Sequence, residues 1–249
     1  MADIELLQKL IDESNNIVFF GGAGVSTESG IKDFRSVDGL YNQKYDYPPE
    51  EMLSHTFYVR KKEEFYKFYK DKLLEKTVGT DSVPKAEPNA AHMKLAELEA
   101  AGKLKAVITQ NIDGLHQAAG SKKVLELHGS VLRNYCEKCG AFFDDKYMFA
   151  QNGIPVCDKC GGDIKPDVVL YEEGLDNSIV SESIKCISEA DMLIIGGTSL
   201  VVYPAAGLID YYRGKKLVLI NRDATARDSV ADYVFQGKIG EILSQIVIR

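Results

Sequence analysis

The segment 16-NIVFFGGAGVSTESG-30 decides the fold class, because an apolar run leads directly into a glycine-rich turn. The residues at 17–20 are β-branched or aromatic, which is typical of a buried strand. Glycines let a backbone approach a pyrophosphate, and we expect a helix to begin after the turn and to receive that charge on its free N–H groups. The segment therefore favours an α/β protein that binds a dinucleotide.

The dinucleotide fingerprint is nevertheless incomplete in this turn. Counted from Gly22 in the pattern G-x-G-x-x-G, Gly24 matches, but Thr27 stands at the third position. No convincing acidic residue follows roughly 20 residues later, where such proteins bind the ribose. A tight turn that needs glycine only for close packing remains an alternative.

Short apolar runs alternate with helical patterns along the chain, which predicts a parallel sheet with crossover helices. Helical spacing of apolar residues indicates helices near the amino terminus, over 89–100 with Asn89 as its N-cap, and over 177–190. The predicted strands are 16–20, 104–109, 123–127, 191–196, 216–221 and 232–235.

Two stretches interrupt this alternation and predict a second, small domain. Residues 37–85 are rich in Tyr and Lys and have helical periodicity, whereas residues 129–166 hold four of the five cysteines. We expect a helical module and a zinc-binding module there, with the ligand in the cleft between the two domains. The α/β domain would be discontinuous and comprise 1–36, 86–128 and 167–249.

The cysteines form two Cys-x-x-Cys pairs, Cys136 with Cys139 and Cys157 with Cys160, separated by 17 residues. This spacing is that of a four-cysteine zinc ribbon, and a glycine after each pair permits a tight knuckle. Four thiolates complete the tetrahedron, so the zinc would be structural. A redox dithiol or an iron–sulfur site is the alternative. The fifth cysteine, Cys186, fits a small buried apolar residue.

Charge and composition exclude several classes of protein. The chain of 249 residues has a net charge of −7 and a pI near 5.2, so we expect no direct nucleic-acid partner. No run approaches the ~18 apolar residues of a membrane span, and the amino terminus does not resemble a signal peptide. An odd number of cysteines fits a reducing compartment. We expect a cytoplasmic monomer without a membrane partner.

Polar side chains follow two of the predicted strands. Gln110, Asn111, Asp113 and His116 come after the second strand, and His128 follows the third. Because the carboxyl ends of parallel strands meet at one edge of a sheet, we expect these side chains to cluster at a ligand site. Histidine is the usual general base near neutral pH. Each residue taken singly has an ordinary alternative as a helix cap, a helix residue or a strand end.

The order of these motifs resembles the sirtuins, the NAD⁺-dependent protein-lysine deacylases, over nearly the whole chain. The matching segments are 22-GAGVSTESGIKDFRS-36, 109-TQNIDGLH-116, 128-HGS-130, the two Cys-x-x-Cys pairs, 166-PDVVLYEE-173, 197-GTSLVVYPA-205 and 220-INRD-223. The resemblance implies a Rossmann-like NAD-binding domain with helices on both faces, plus the small domain of helical and zinc modules. It implies NAD as a co-substrate, one structural zinc ion, and acetylated-lysine proteins or peptides as partners.

The resemblance also implies roles for individual residues. His128 and Asn111 would be catalytic, and His128 would also contact the cofactor. Val168, Val169 and Tyr171 would bind the substrate. They lie in the segment 166–173, which could be extended and pair with the backbone of the substrate peptide. The alternative is that this segment is an ordinary buried strand. The other implied cofactor contacts are Gly22, Ala23, Gly24, Thr27, Phe34, Arg35, Gln110, Ile112, Asp113, Gly197, Thr198, Ser199, Asn221 and Ile239. The implied metal ligands are Cys136, Cys139, Cys157 and Cys160.

The implied reaction is deacetylation. The acetyl oxygen attacks C1′ of the ribose as nicotinamide leaves, and His128 then acts as general base on the ribose hydroxyls. The products are nicotinamide, O-acetyl-ADP-ribose and free lysine. The alternatives are protein ADP-ribosylation and a preference for longer acyl groups. An NAD(P)-dependent oxidoreductase and a zinc-ribbon adaptor are rivals from other classes.

The chain departs from the family pattern at three places. Lys32 replaces the usual proline before Asp-Phe-Arg, and Glu172 replaces the glycine of the common aromatic-Gly-Glu. Members that prefer succinyl- or malonyl-lysine carry a Tyr-x-x-Arg pair in the helical module. Here Tyr69 is followed three places on by Lys72, which does not reproduce the planar fork of arginine. We therefore expect deacetylation over desuccinylation.

Overall fold

The computed structural model describes residues 3–34, 39–42 and 45–248. The strands are β1 (Ile17–Gly21), β2 (Leu104–Thr109), β3 (Val124–Glu126), β4 (Gly129–Cys136), β5 (Phe142–Phe143), β6 (Ile164–Val168), β7 (Met192–Gly196), β8 (Leu217–Asn221) and β9 (Tyr233–Gln236). The α-helices are α1 (Ile4–Asp12), α2 (Pro49–Met52), α3 (His55–Arg60), α4 (Lys62–Tyr69), α5 (Glu75–Val78), α6 (Ala90–Ala100), α7 (Leu115–Ala118), α8 (Asp145–Ala150), α9 (Asn177–Glu189) and α10 (Ile239–Leu243). None of the described helices is long and apolar enough to span a bilayer.

Six strands form one parallel sheet in the order β3-β2-β1-β7-β8-β9. Counted in chain order within this sheet, this is the doubly wound arrangement 3-2-1-4-5-6 of Rossmann-like domains. Every predicted strand agrees with an observed strand to within one residue at each end. The order reverses between β1 and β7, and sheets of this kind bind their ligand in a crevice at the carboxyl ends of the strands beside that point.

Both faces of this sheet are covered by helices. Phe19 of β1 packs in one core with residues of α1, α6 and α10, while Val18 and Phe20 pack on the opposite face with α9 and the 3₁₀ helix Ala205–Tyr211. Successive side chains of a strand point to opposite faces, so a strand that is buried on both sides is a continuous apolar run. This burial explains why the sheet was predictable and confirms the predicted fold class.

A second sheet is antiparallel, with the order β5-β4-β6. Its residues Val131 and Ile164 share a third core with Phe65, Tyr66 and Tyr69 of α4. The two sequence insertions therefore pack on each other as one small unit, α2 to α5 on one side and the cysteine-bearing segment on the other. The exact domain boundaries remain a prediction, and the one at 36/37 lies outside the described residues.

The glycine-rich turn differs from its prediction, because no α-helix follows it. Two short 3₁₀ turns, Ala23–Val25 and Thr27–Ser29, take the place of the expected helix. The hydroxyl of Thr27 donates to the carbonyl oxygen of Gly24 at 2.9 Å. Such local bonds from hydroxyl side chains compete with helix formation. The expectation that a helix dipole receives the ligand's charge here is therefore wrong.

Candidate functional site

The glycine turn lies against the loop that follows β7. The amide of Gly24 donates to the carbonyl oxygen of Gly197 at 2.7 Å. A Cβ atom on Gly24 would lie 2.8 Å from Cα of Gly197, and one on Gly22 would lie 2.7 Å from Cβ of Thr198. Close packing thus accounts for both glycines. The same contact places the predicted cofactor residues of the two loops side by side at the crevice.

A buried hydrogen-bonded network joins this turn to the loop after β2. The hydroxyl of Ser26, which is 1% exposed, donates to Oδ2 of Asp113 at 2.6 Å. Nδ2 of Asn111 donates to the same hydroxyl oxygen at 3.1 Å. Burial raises the pKa of Asp113, and the hydrogen bonds from Ser26 and from the amide of Leu115 oppose that rise. The three side chains can therefore hold one another in fixed orientations.

Ser26 is a site residue that the sequence reasoning missed. Its hydroxyl stands within the glycine turn, but its partner Asp113 lies 87 positions further along the chain. The available signal was its position in the first matching motif, next to the predicted contact Thr27. Only the pairing of β1 with β2 brings the hydroxyl to the carboxylate.

A second set of bonds connects the ends of β2, β7 and β8. Nε2 of Gln110 donates to Oγ1 of Thr198 at 3.2 Å. The side-chain amide of Asn221 makes two hydrogen bonds with the backbone of Thr198. Oδ1 of Asn221 accepts from the N–H of Thr198 at 3.1 Å, and Nδ2 of Asn221 donates to the carbonyl oxygen of Thr198 at 3.0 Å. Ser199 is exposed beside them. Gln110 directly follows β2, the second strand of the sheet in chain order, and many dinucleotide-binding domains carry an acidic residue at the end of that strand.

His128 follows β3 and is held through one ring nitrogen. Its Nδ1 lies 3.0 Å from the carbonyl oxygen of Gln110. Because a carbonyl only accepts, Nδ1 carries the proton and Nε2 of the neutral ring keeps its lone pair. Burial lowers the pKa of His128, and the bond to Gln110 partly opposes that effect. The ring is therefore a neutral base with a fixed tautomer at physiological pH.

His116 does not join this cluster, contrary to expectation. Its side chain is 1% exposed, and its ring packs on His92 at 4.7 Å and on Phe19 at 6.1 Å between ring centroids. Neither ring nitrogen has a hydrogen-bond partner within the described part of the chain. Burial, followed by the neighbouring His92, lowers the pKa of His116 to about 3. The ring is a neutral core group beneath the sheet.

The remaining predicted cofactor contacts differ in how deeply they are buried. Ile239 is buried in the core with Phe19 and Val25, so its side chain supports the sheet. Phe34 and Ile112 are partly buried against the core of the small unit, and the ring of Phe34 is 5.4 Å from that of Tyr41. Ala23 and Thr27 are half-buried in the turn. Arg35 lies outside the described residues.

The predicted substrate segment, residues 166–173, begins within β6 and continues beyond the end of that strand. Val168 pairs with Gly129 at the end of the small sheet, and the amide of Val169 donates to the carbonyl of His128 at 3.0 Å. The amide of Tyr171 donates to the carbonyl of Leu53 at 3.0 Å. Backbone pairing with a peptide remains a prediction and would need groups other than these two amides. The segment is thus fixed between His128 and the helical module.

Glu172 has an unusual backbone for a residue other than glycine, with φ of 76°. This is the left-handed region that favours glycine, the family's usual residue at this position. Its carboxylate accepts hydrogen bonds from the amide of Thr56 at 2.9 Å and from the hydroxyl of Thr56 at 2.7 Å. These bonds lower the pKa of Glu172. They tie the substrate segment to the first turn of α3 and offset the backbone strain.

The four cysteines form the expected cluster. All are free thiols, and their sulfur atoms lie within 4.8 Å of one another, with 3.4 Å between Cys136 and Cys160 and 3.7 Å between Cys139 and Cys157. Sulfur atoms about 3.8 Å apart surround a tetrahedral zinc ion with Zn–S bonds of about 2.3 Å. Positive φ angles at the glycine after each pair, 71° and 70°, shape the two knuckles. The donor set and geometry fit one structural zinc ion.

Comparisons with known proteins agree with this geometry. The Sir2 family model matches residues 22–204. A protein from Clostridium acetobutylicum named NAD-dependent protein deacetylase is 60% identical over 247 residues, which cover 98% of each chain. A structure described as Sir2-p53 peptide-NAD+ is 38% identical with a TM-score of 0.82 and covers 97% of this chain and 95% of its own. A structure described as Sir2 bound to acetylated peptide is 36% identical with a TM-score of 0.82 and covers 97% of this chain and 95% of its own. The chain belongs to the Sir2 family.

Proposed function

We propose that the chain is an NAD-dependent protein-lysine deacetylase in which His128 is the general base. The observation that carries the proposal is the double connection of His128. Its ring is oriented by the carbonyl of Gln110 on the nucleotide side, and its own carbonyl holds the amide of Val169 in the substrate segment. One residue thus links both substrates of such a reaction. The name of the relative from Clostridium acetobutylicum supports the same activity.

Each group of residues has a task in this reaction. When bound, NAD⁺ would supply a ribose carbon that the acetyl oxygen attacks as nicotinamide leaves, and with the uptake of one water molecule the products would be O-acetyl-ADP-ribose and free lysine. Nε2 of His128 accepts a proton from a ribose hydroxyl, and its fixed tautomer avoids reorganisation during the transfer. Asn111 and Asp113, oriented through Ser26, line the pocket for nicotinamide and its ribose. Thr198, Ser199 and Asn221 would hold the phosphates and adenosine of NAD⁺.

The test is an acyl-peptide panel with NAD⁺, analysed by mass spectrometry for the peptide and for the acyl-ADP-ribose product. A deacetylase gives deacetylated peptide, nicotinamide and O-acetyl-ADP-ribose in equal amounts, without NADH absorbance. Label from NAD⁺ that stays on protein would instead indicate ADP-ribosylation. NADH formation would indicate an oxidoreductase. Either result would contradict the proposal.

The same panel tests acyl preference, and we expect acetyl-lysine to react at least tenfold faster than succinyl-lysine. Tyr69 is fully buried, and its hydroxyl has no hydrogen-bond partner among the described residues. Lys72 is exposed, with its ammonium 6.0 Å from the ring centroid of Tyr45. The two side chains therefore form no joint clamp for an acyl carboxylate, and Lys lacks the bidentate geometry of Arg. Equal or faster desuccinylation would overturn this prediction.

The pH dependence follows from the environment of His128. Burial lowers its pKa below the ordinary value of 6.5. Only the neutral ring is a base, so kcat/KM for an acetyl-lysine peptide should fall toward acid pH with a midpoint below pH 6.5. The residual activity of a His128→Ala variant should lack this acid limb. An acid limb centred above pH 6.5 would show that the ring is not neutral as the geometry requires.

Acetylated-lysine proteins are the proposed substrates, and a basic sequence around the acetyl-lysine would suit a chain of net charge −7. A cytoplasmic location, a monomeric state and the lack of a direct nucleic-acid partner remain predictions. The location is supported by five free cysteines. Light scattering of the purified protein tests the monomer.

A further inference from the structure

No α-helix follows the cofactor turn, residues 22–30, which consists of two short 3₁₀ turns. Residues from other parts of the chain therefore have to hold it in place. We propose that Asn89 is a positioning residue for this turn and thereby for NAD⁺ binding, in addition to capping α6. The inference rests on the proposed function. It assigns a role in the reaction to a side chain that the sequence pattern identified only as a helix cap.

The two ends of the Asn89 amide have different partners. Oδ1 accepts from the amide of Ala91 at 2.9 Å, which is the N-cap bond of α6. Nδ2 donates to the carbonyl oxygen of Val25 at 2.7 Å and to the hydroxyl of Ser29 at 3.0 Å. Both hydrogens of the NH₂ group are thus used on the cofactor turn. The cap and the anchor are chemically separable within one side chain.

The anchored atoms lie at the positions that control the site. Val25 ends the first 3₁₀ turn and immediately precedes Ser26, whose hydroxyl orients Asn111 and Asp113. Ser29 ends the second 3₁₀ turn. One amide group therefore fixes the two short turns relative to each other. Movement of the Val25 carbonyl would displace the Ser26 hydroxyl and with it the nicotinamide side of the pocket.

The support behind Asn89 is rigid. α6 packs its residues Ala91, Leu95 and Leu98, all at 0% exposure, into the core beneath the sheet. The backbone N–H of Asn89 also donates to Nδ1 of His92 at 3.2 Å, and this bond completes a capping box. The turn is thereby tied to a buried helix. A mobile turn would lose conformational entropy on binding NAD⁺, and a turn that is already fixed does not.

The deciding variant is Asn89→Asp, which keeps a cap oxygen but loses both donors to the turn. We expect KM for NAD⁺ to rise roughly tenfold, the effect of about one net hydrogen bond, while KM for the acetyl-peptide changes less than about twofold. Hydrogen exchange should accelerate at the amides of residues 23–30 and stay slow in α6. In Asn89→Ser the hydroxyl can cap α6 but is too short to hold the turn. We expect this variant to show the same changes in KM for NAD⁺ and in hydrogen exchange.

The matched control is Asp176→Asn, the mirror change at the N-cap of α9, where the side chain accepts from Ser178 and Ile179. It should leave both KM values unchanged. Unchanged KM for NAD⁺ in Asn89→Asp, or equal losses for both substrates together with faster exchange in α6, would overturn the inference. Calorimetric titration with NAD⁺ alone measures the same effect without turnover. An inactive wild-type protein would refute the deacetylase proposal but would leave that binding comparison intact.

Discussion

Replacement of His128 by alanine is expected to lower turnover of an acetyl-lysine peptide by roughly 10²–10⁴-fold, the usual contribution of a positioned general base. The ring is neutral because burial lowers its pKa, and the carbonyl of Gln110 fixes its tautomer. No other side chain of the described polar network is a neutral nitrogen base. The rate is measured by mass spectrometry of deacetylated peptide and O-acetyl-ADP-ribose at saturating concentrations of both substrates.

The proton transfer follows the departure of nicotinamide, which gives the His128 prediction a sharp control. Exchange of labelled nicotinamide into NAD⁺ in the presence of acetyl-peptide should survive in His128→Ala, since that step needs no base. A matched change, His55→Ala, removes a ring that is 51% exposed on α3 but keeps its backbone bond to Tyr171. The deacetylation rate of this control variant should stay within a few-fold of that of the wild type. Near-normal deacetylation by His128→Ala would refute the mechanism.

The sheet was predictable because its strands are buried on both faces. Ile17 to Phe20 form an unbroken apolar run for that reason, and the same holds for β7, for residues 106–108 of β2 and for residues 218–220 of β8. The structure after β1 was not predictable from local sequence. Ser26 bonds to Asp113, which lies 87 positions away, and Val25 and Ser29 bond to Asn89, which lies 64 and 60 positions away. These tertiary bonds replace the helix that propensity suggests.

The site was predictable to the extent that it follows from strand ends. Gln110, Asn111 and Asp113 follow β2 and His128 follows β3, so topology alone brings them to one edge. His116 fails this rule because α7 turns its ring into the core beside His92. Side-chain direction on so short a helix depends on packing that the sequence pattern does not reveal. For the same reason, nothing in the pattern distinguished the buried side chain of Ile239 from one that faces the crevice.

Removal of the zinc ion should act on folding rather than on chemistry. Cys136 and Cys157 are buried in the third core with Tyr66, whose hydroxyl donates to the carbonyl of Ile164 at 2.5 Å. Lys62 of α4 binds Asp163 at 2.6 Å and Glu137 at 3.2 Å, next to the two knuckles. Loss of the metal would leave four thiols in contact and release both knuckles from α4. Because metal binding and folding are coupled, the small unit should open cooperatively.

The Cys136→Ser variant should therefore lower Tm by on the order of 10 °C, since a loss of about 4 kcal/mol shifts Tm by roughly 2–4 °C per kcal/mol in a chain of this size. Cys186→Ser is the matched control. This thiol is also buried but lies on α9, outside the cluster, so its replacement should lower Tm by only a few degrees. Native mass spectrometry counts the bound metal in each protein. Because two of the four ligands, Cys136 and Cys157, are buried in that core, the ion should be needed for folding. Fully active, folded protein without zinc would contradict the assignment.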